Sequence, residues 1–367
     1  MSKITASITI DGDPAPDLLA ALEEMEVELD HRIASVFRIK LATHRGRDGL
    51  WDFLDDDRIA LWKKVVISVN VNDDDQELIT GYITQVSAHL DTDEDNSYVD
   101  VSGMDATCLM SLEEKVKDWP NRSDSDIARD IISSYNLTPD VDATAVVHDE
   151  AVSTIIQRGT DIRFLKQLAR RNGFEVRVAG GKGTFRKPNL SDTPRPTLAA
   201  HFGPDTNLSF FDAKASALAS VRVEMHQADP VSGQAEDSTA DAGLQRALGK
   251  NRAQSISPPN GLQSRVIVNH AVATGQAEMD KLTRARFDAA EWFIEANGSI
   301  DTQSYGAVLL AAQDVPIKGV GTTFSGLYYV TSVKHRFNLT RYVQDFAARR
   351  NASEPTGDEF GSSDSLL

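Results

Sequence analysis

Residues 317–350 read IKGVGTTFSGLYYVTSVKHRFNLTRYVQDFAARR. Glycines 319, 321 and 326 break the first apolar run. Aromatic and β-branched residues then dominate from Leu327 to Val333, and a third apolar run, Tyr342 to Phe346, follows a polar turn. Strand, turn and strand of this kind predict an antiparallel meander rather than a catalytic loop.

The chain around this stretch has 367 residues, enough for two or three domains. With 41% hydrophobic and 25% charged residues it has the material for more than one core, which excludes wholesale disorder. A net charge of −17 argues against a nucleic-acid surface and against docking on anionic lipid, both of which need a basic footprint. The single Cys108 has no partner for an intrachain disulfide, which suits a reducing cytosol. Met1 to Ile10 lacks the apolar core of a signal peptide, and no run approaches the roughly 18 apolar residues of a membrane span. Ala307 to Ala312, one of the longest apolar runs, is expected to be a buried strand.

The first hundred residues alternate with period 2: Ile4, Ala6, Ile8 and Ile10; Phe37, Ile39 and Leu41; Val65, Ile67, Val69 and Val71; Val99 and Val101. These predict half-buried strands, with Asp55–Asp57 and Asp73–Asp75 at turns, and only Asp17 to Glu26 looks helical. The middle changes period. Ser123 to Asp126 offers caps for a helix carrying Ile127, Ala128, Ile131, Ile132 and Tyr135. A second helix opens at Thr160-Asp161, turns Ile162, Leu165, Leu168 and Ala169 inward, and ends at Gly173. Two short strands follow around Gly180-Gly181-Lys182-Gly183. Residues 229–261 read as a long polar loop, with one helical turn at Leu244 to Leu248, and a helix is expected from Gly275 to Phe293. The predicted fold is mixed and mainly β (α+β). A first β-barrel covers 1–104, an α/β insert 105–205, a second β-barrel 206–351 and a disordered tail 352–367.

Catalytic signatures are sparse. The eight histidines never fall at i, i+4, nor in a His-Glu-x-x-His context. His335 on a predicted strand reads as a hydrogen-bonded structural residue. Cys108 sits in an apolar stretch and reads as packing. The Gly180–Gly183 run lacks phosphate-loop spacing and reads as a β-turn. Glu291 beside Trp292 and Asp118 beside Trp119 read as surface or packing features. No catalytic, cofactor or metal residue is assigned.

Several segments resemble, in order along the chain, the phage late-control D family, the central hubs of contractile-tail baseplates. The carriers are Gly81 and Tyr82 in Thr80–Ile83, Gly103 and Asp105 in Val101–Asp105, and Asp161, Phe164, Leu165, Leu168 and Gly173 in the second helix. Gly319, Gly326, Tyr328, His335 and Tyr342 in the opening stretch complete the set. The resemblance covers about residues 80 to 350. It implies a homotrimer in which two related tube domains per chain give a pseudo-sixfold ring between a sixfold tail tube and a threefold spike. The implied partners are further copies of the chain, a spike protein, a tube or tube-initiator protein and baseplate wedge proteins. It implies no cofactor, and assembly in the bacterial cytoplasm into a phage or phage-like baseplate. Because the sequence stops about twenty residues after the last matching strand, the spike is expected on a separate chain. The competing readings are a tail-associated cell-wall hydrolase and a spike-tip or carbohydrate-binding module.

Overall fold

The computed structural model describes residues 3–151, 154–190, 194–219, 222–228, 232–256, 259, 262, 264–269, 273–338, 340–357 and 360. The N-terminal part gives β1 (Ile4–Ile10), a short α1 (Pro16–Ala20), β2 (Leu22–Asp30), β3 (Val36–Ala42), β4 (Lys64–Val71), β5 (Asp74–His89) and β6 (Tyr98–Asp105). The insert supplies β7 (Glu114–Trp119), α2 (Asp124–Ser134), β8 (Ile155–Thr160), α3 (Asp161–Asn172), β9 (Glu175–Ala179) and β10 (Lys182–Arg186). The C-terminal part supplies β11 (Leu208–Ala215), β12 (Arg222–Ala228), β13 (Ala235–Ala240), β14 (Arg265–Val268), α4 (Gln276–Ala290), β15 (Ile294–Asp301), β16 (Asp314–Lys318), β17 (Gly326–Asn338) and β18 (Tyr342–Arg350).

The opening stretch is the expected meander, β16-β17-β18, and it lies inside a 13-stranded sheet. Its main path runs β11-β15-β18-β17-β2-β3-β6-β5-β4-β1, with β16 branching from β17. The mainly β class holds, but no closed barrel forms among the described residues. The reason lies in β17, which switches partners along its length. Gly326 to Tyr329 pair with β16, and Ser332 to Asn338 pair with β2 on the same side. The edge of β2 that a closed N-terminal barrel would need is thereby taken by the C-terminal half.

The two halves repeat one strand plan. Spatially, β2-β3-β6-β5-β4 matches β11-β15-β18-β17-β16, and the chain visits the matching strands in the same order. Four of the five register irregularities match too; the fifth, between Ile67 and Ser68 of β4, has no counterpart in β16. The register slips between Leu22 and Glu24 in β2 and between Leu208 and Phe210 in β11. It slips again between Ile83 and Gln85 in β5 and between Val330 and Ser332 in β17. Bulges fix register and strand bend, so two coincident pairs mark a structural duplication rather than a shared tendency to form sheet.

Period-2 alternation explains the cores. Ile8, Ile10, Met25, Val27, Phe37, Ile39, Ile67, Val69, Val99 and Val101 bury one face of the N-terminal half. Val315, Ile317, Tyr328, Val330, Val333 and Phe346 do so in the C-terminal half. Each such side chain contributes about 1.5–3 kcal/mol on burial. The insert core gathers Ile127, Ile131, Phe164, Leu165, Leu168 and Phe185 from α2, α3 and β10.

Several expectations change. Leu22 to Glu26 is strand, not helix: Met25, Val27 and Leu29 are buried while the intervening glutamates stay partly exposed. Ala307 to Ala312 buries Val308, Leu309 and Ala311 but is irregular, not strand. Gln344 replaces a strand partner there, accepting from Leu309 N (2.7 Å) and donating to Ala307 O (2.9 Å). Residues 229–261 are not one loop. They contain β13, which pairs with β12, and Leu244 to Leu248 forms no helical turn. Finally, β12, β13 and β14 stay out of the large sheet. They form a three-stranded sheet that buries Val223, Met225 and Val268 against Met279, Leu282 and Phe287 of α4. Of the tail expected to be disordered, 352–357 and 360 are described, and Ala352-Ser353 pairs with Asn251-Arg252; the rest lies outside the described residues.

Candidate functional site

The place where β17 changes partner joins all three sequence regions. Thr331, the switch residue, offers its carbonyl to His31 N (3.1 Å) and His31 Nδ1 (2.8 Å) from the turn after β2. Glu175 of β9 reaches the same point from the insert. It accepts from Tyr329 Oη (2.5 Å) and Arg349 Nη2 (3.1 Å), and its Oε1 lies 3.6 Å from His31 Nε2. Burial pushes the Glu175 carboxyl above the usual carboxylate range, against the pull of His31 and Tyr329. Burial and the Glu175 charge push the Tyr329 phenol far up, so it remains a donor. Arg349 stacks on Trp292 with 4.1 Å to the ring centroid. Tyr82, the register equivalent of Tyr329, packs against the insert core from the other half. Both halves thus present a tyrosine from the same strand position to the insert.

Two further buried ionic groups tie outlying segments to this frame. Arg350 ends β18 with its guanidinium fully buried, donating to Ser325 O (2.7 Å) and Leu248 O (2.8 Å). Asn351 adds bonds to Leu248 N (2.9 Å) and Arg246 O (2.9 Å). The polar segment 243–252 is therefore held as a strap by its own chain. Asp124, at the start of α2, is fully buried and bonded to His148 Nε2 (2.8 Å), Asn172 Nδ2 (2.8 Å) and Lys281 Nζ of α4 (2.7 Å). With the Arg171–Glu278 pair it fastens the insert to the α4 unit.

The residues singled out in the sequence fall in three groups, not in one cleft. Gly81 and Tyr82 on β5 face Asp105 and Met104 across the ladder to β6. Asp105 accepts from Ser35 N (2.7 Å) and Thr107 N (2.9 Å), and burial raises its pKa against those bonds. Gly103 leaves room for Phe37, because a Cβ there would lie 2.2 Å from Tyr82 O and 2.3 Å from the Phe37 ring. Gly103→Ala is expected to destabilise the fold by about 2–3 kcal/mol, read as a lowered urea midpoint; an unchanged midpoint would count against this close packing.

In the insert, Asp161 accepts from Lys115, Gln157 and Tyr135. Burial works to raise its pKa, and these donors outweigh it and hold it low. Phe164, Leu165 and Leu168 are buried on α3, and Gly173 takes the left-handed cap at φ +66°. In the C-terminal half, Gly319 passes under Ala200 O and Gly326 lies beside the Arg350 guanidinium. Tyr328 donates to Phe324 O (2.7 Å). His335 shares a 2.7 Å hydrogen bond with Tyr342 Oη, and complete burial lowers the imidazole to about 3, so it stays neutral at ordinary pH.

The chemical candidates sit in structural settings. Cys108 is buried, and burial pushes its thiol up to about 11, far from a reactive thiolate. Gly180 and Gly181, at φ +55° and +70°, make a hairpin turn between β9 and β10. Glu291 is fully buried and accepts from Arg252 and Gln254, each at 2.9 Å. Among the described residues, no group of three His, Cys, Asp or Glu is placed to hold a metal ion, and no helix is long and apolar enough to cross a membrane. Sequence reading missed His31, Glu175 and Lys281. The one local signal was Arg349-Arg350 ending an otherwise apolar strand.

The overall fold is shared with solved structures of tail proteins. A 43 kDa tail protein of prophage MuSo2 from Shewanella oneidensis matches with a TM-score of 0.64 at 13% identity, over 95% of this chain and 99% of that one. A tail protein of Neisseria meningitidis MC58 matches at 0.66 and 11%, over 95% and 96%. An Escherichia coli component of the type VI secretion system, itself similar to the T4 tail proteins gp27 and gp5, matches at 0.55 and 12%, over 100% and 80%. At these identities the likeness establishes the fold. The family model described as the Alg8 N-terminal domain matches residues 1–338, and the chain belongs to that family. No curated protein matches the chain.

Proposed function

We propose that this chain is a structural subunit of a tail-like baseplate: a central hub that assembles as a homotrimer and adapts a sixfold tube to a threefold spike. The observation that carries the reading is the register-matched duplication. Two equivalent units per chain give six per trimer, so three identical copies present near-sixfold geometry to one neighbour and threefold symmetry to another. The shared fold with the Shewanella and Neisseria tail proteins and the late-control D resemblance of the sequence support the setting.

The partners in this reading are two further copies, a separate spike protein, a tube or tube-initiator protein and wedge proteins of the baseplate. The role is mechanical and needs no catalytic step. It is served by the buried ionic groups above, which lock three regions into one body. Light scattering or native mass spectrometry of the purified chain, alone and with its spike partner, tests it. The expected particle has three times the mass of one chain. A monomer at every concentration, with and without the spike, overturns the hub, and a clearing band on a peptidoglycan zymogram favours the hydrolase.

A further inference from the structure

Where the strap at 243–252 meets the C-terminal end of α4, the buried oxygens outnumber the donors that reach them. Glu291, the residue that closes α4, is 0% exposed. Its Oε1 accepts from Arg252 Nη1 and Gln254 Nε2, each at 2.9 Å. Its Oε2 is buried and has no hydrogen-bond partner among the described residues. The same is true of Asp288 Oδ1, one turn earlier on the helix, and of the side-chain oxygens of Gln254 and Gln245. Turning the Gln254 amide round does not remove the mismatch, because its oxygen would then meet Glu291 Oε1. Arg252 ties the group together: its Nη1 holds Glu291 while its Nη2 donates to Gln245 O. Gly243 brings the strap backbone onto the carboxylate, since a Cβ there would lie 2.3 Å from Glu291 Oε1 and 2.5 Å from Oε2.

We propose that this cluster is a binding site for a hard divalent cation, calcium by its chemistry, which clamps the strap onto α4. The unmatched atoms are two carboxylate and two amide oxygens, acceptors without exception. Calcium takes about six to eight oxygen ligands in flexible geometry and accepts both kinds. Asp288 Oδ1, Glu291 Oε2, Gln245 Oε1 and Gln254 Oε1 would supply the protein's share, with solvent completing the shell. Magnesium demands a near-ideal octahedron and gives up its water reluctantly, so it suits this mixed set less well. The helix adds to the attraction. A 15-residue helix carries partial negative charge at its carbonyl end, and the last turn of α4 has no basic residue. Arg284, Lys187 and Arg252 lie close enough for their charges to act on Asp288, but none of them bonds its Oδ1. Arg284 donates instead to Ala242 O. With only two carboxylates, one of them shared with Arg252, the dissociation constant is expected in the weak range, about 10⁻⁴–10⁻³ M.

Calcium titration of the full chain, first stripped with EDTA, tests the site. The readouts are the urea midpoint and tryptic cleavage at Arg246 and Lys250, which are exposed on the strap, measured against cleavage elsewhere in the same digest. Opening the strap releases the ion. At a calcium concentration about ten times the dissociation constant, strap cleavage is therefore expected to slow about tenfold and the midpoint to rise. Asp288→Asn is expected to abolish the calcium response. Gln245→Ala, on the strap itself, should weaken it several-fold and serves as the second variant should the helix end not tolerate the first. No change with calcium would mean that water meets these oxygens, and overturns the site. A response that survives in both variants, or that sodium chloride reproduces at matched ionic strength, belongs to the acidic surface and overturns it equally. The hub reading stands or falls separately, on the mass of the assembled particle.

Discussion

Replacing Arg350 with alanine is expected to destabilise the fold by about 4 kcal/mol and to release the strap at 243–252 to proteolysis. The guanidinium is fully buried and spans two segments, bonding Ser325 O on one side and Leu248 O on the other. It also lies 5.1 Å from the centre of the Tyr328 ring. Alanine strips these carbonyls of their donor, and each buried polar group left unsatisfied costs about 1–3 kcal/mol. The vacated volume adds a cavity term. Arg350→Lys is expected to recover only part of the loss, because an ammonium is a point donor and does not reach both carbonyls in the guanidinium's planar fork. Gly326→Ala should move stability the same way, since its φ is +136° and a Cβ would lie 2.4 Å from Arg350 Nη2. The urea midpoint and the rate of tryptic cleavage within 243–252 read the effect. A wild-type midpoint for R350A would show that the strap is held without the guanidinium, by the Asn351 bonds, the Asn251–Ser353 pairing and the Leu248 side chain.

Local signals carried much of this fold. Alternation placed β1, β3 and β4, and the Ser123 cap and Gly173 placed the ends of α2 and α3. What escaped was set by distant neighbours. β2 reads LEEMEVELD, and its glutamates favour helix on propensity alone. They are tolerated in a strand because bases arrive from both sides: Lys334 bonds Glu26 at 2.9 Å, and Lys40 bonds Glu23 at 2.7 Å. The first of those bases lies some three hundred residues away. The same holds at the junction, where His31, Glu175 and Tyr329 are meaningless apart and become a site only when β17 changes partner. That one switch also decides the architecture. It spends the edge that would close a barrel on joining two units, and so turns an intramolecular duplication into a sheet with ends.

Removing the Asp124 carboxylate is expected to cost about 4 kcal/mol, because it leaves a buried lysine and histidine without their common acceptor. Asp124 is fully buried, and Lys281, which is only 15% exposed, approaches it from α4 at 2.7 Å. Burial alone would raise the carboxyl's pKa. The bond from His148 and the charge and bond of Lys281, with Asn172, outweigh burial and hold it well below the usual carboxylate range. The sign of the pH dependence follows. The unfolded chain binds the proton more readily, so the contribution is fully present above about pH 4 and is lost as pH falls toward the depressed folded value. Asp124→Ala should unfold at lower urea at neutral pH. Asp124→Asn keeps the shape and loses the charge, so it should fall between, with a shallower acid limb than the wild type. Lys281→Met tests the same link from α4, and in a double-mutant cycle with Asp124→Asn it should show strong coupling. Additive losses, or an acid limb unchanged in Asp124→Asn, would mean that the insert and the α4 unit are held by their apolar contacts and the Arg171–Glu278 pair, with Asp124 a local cap of α2.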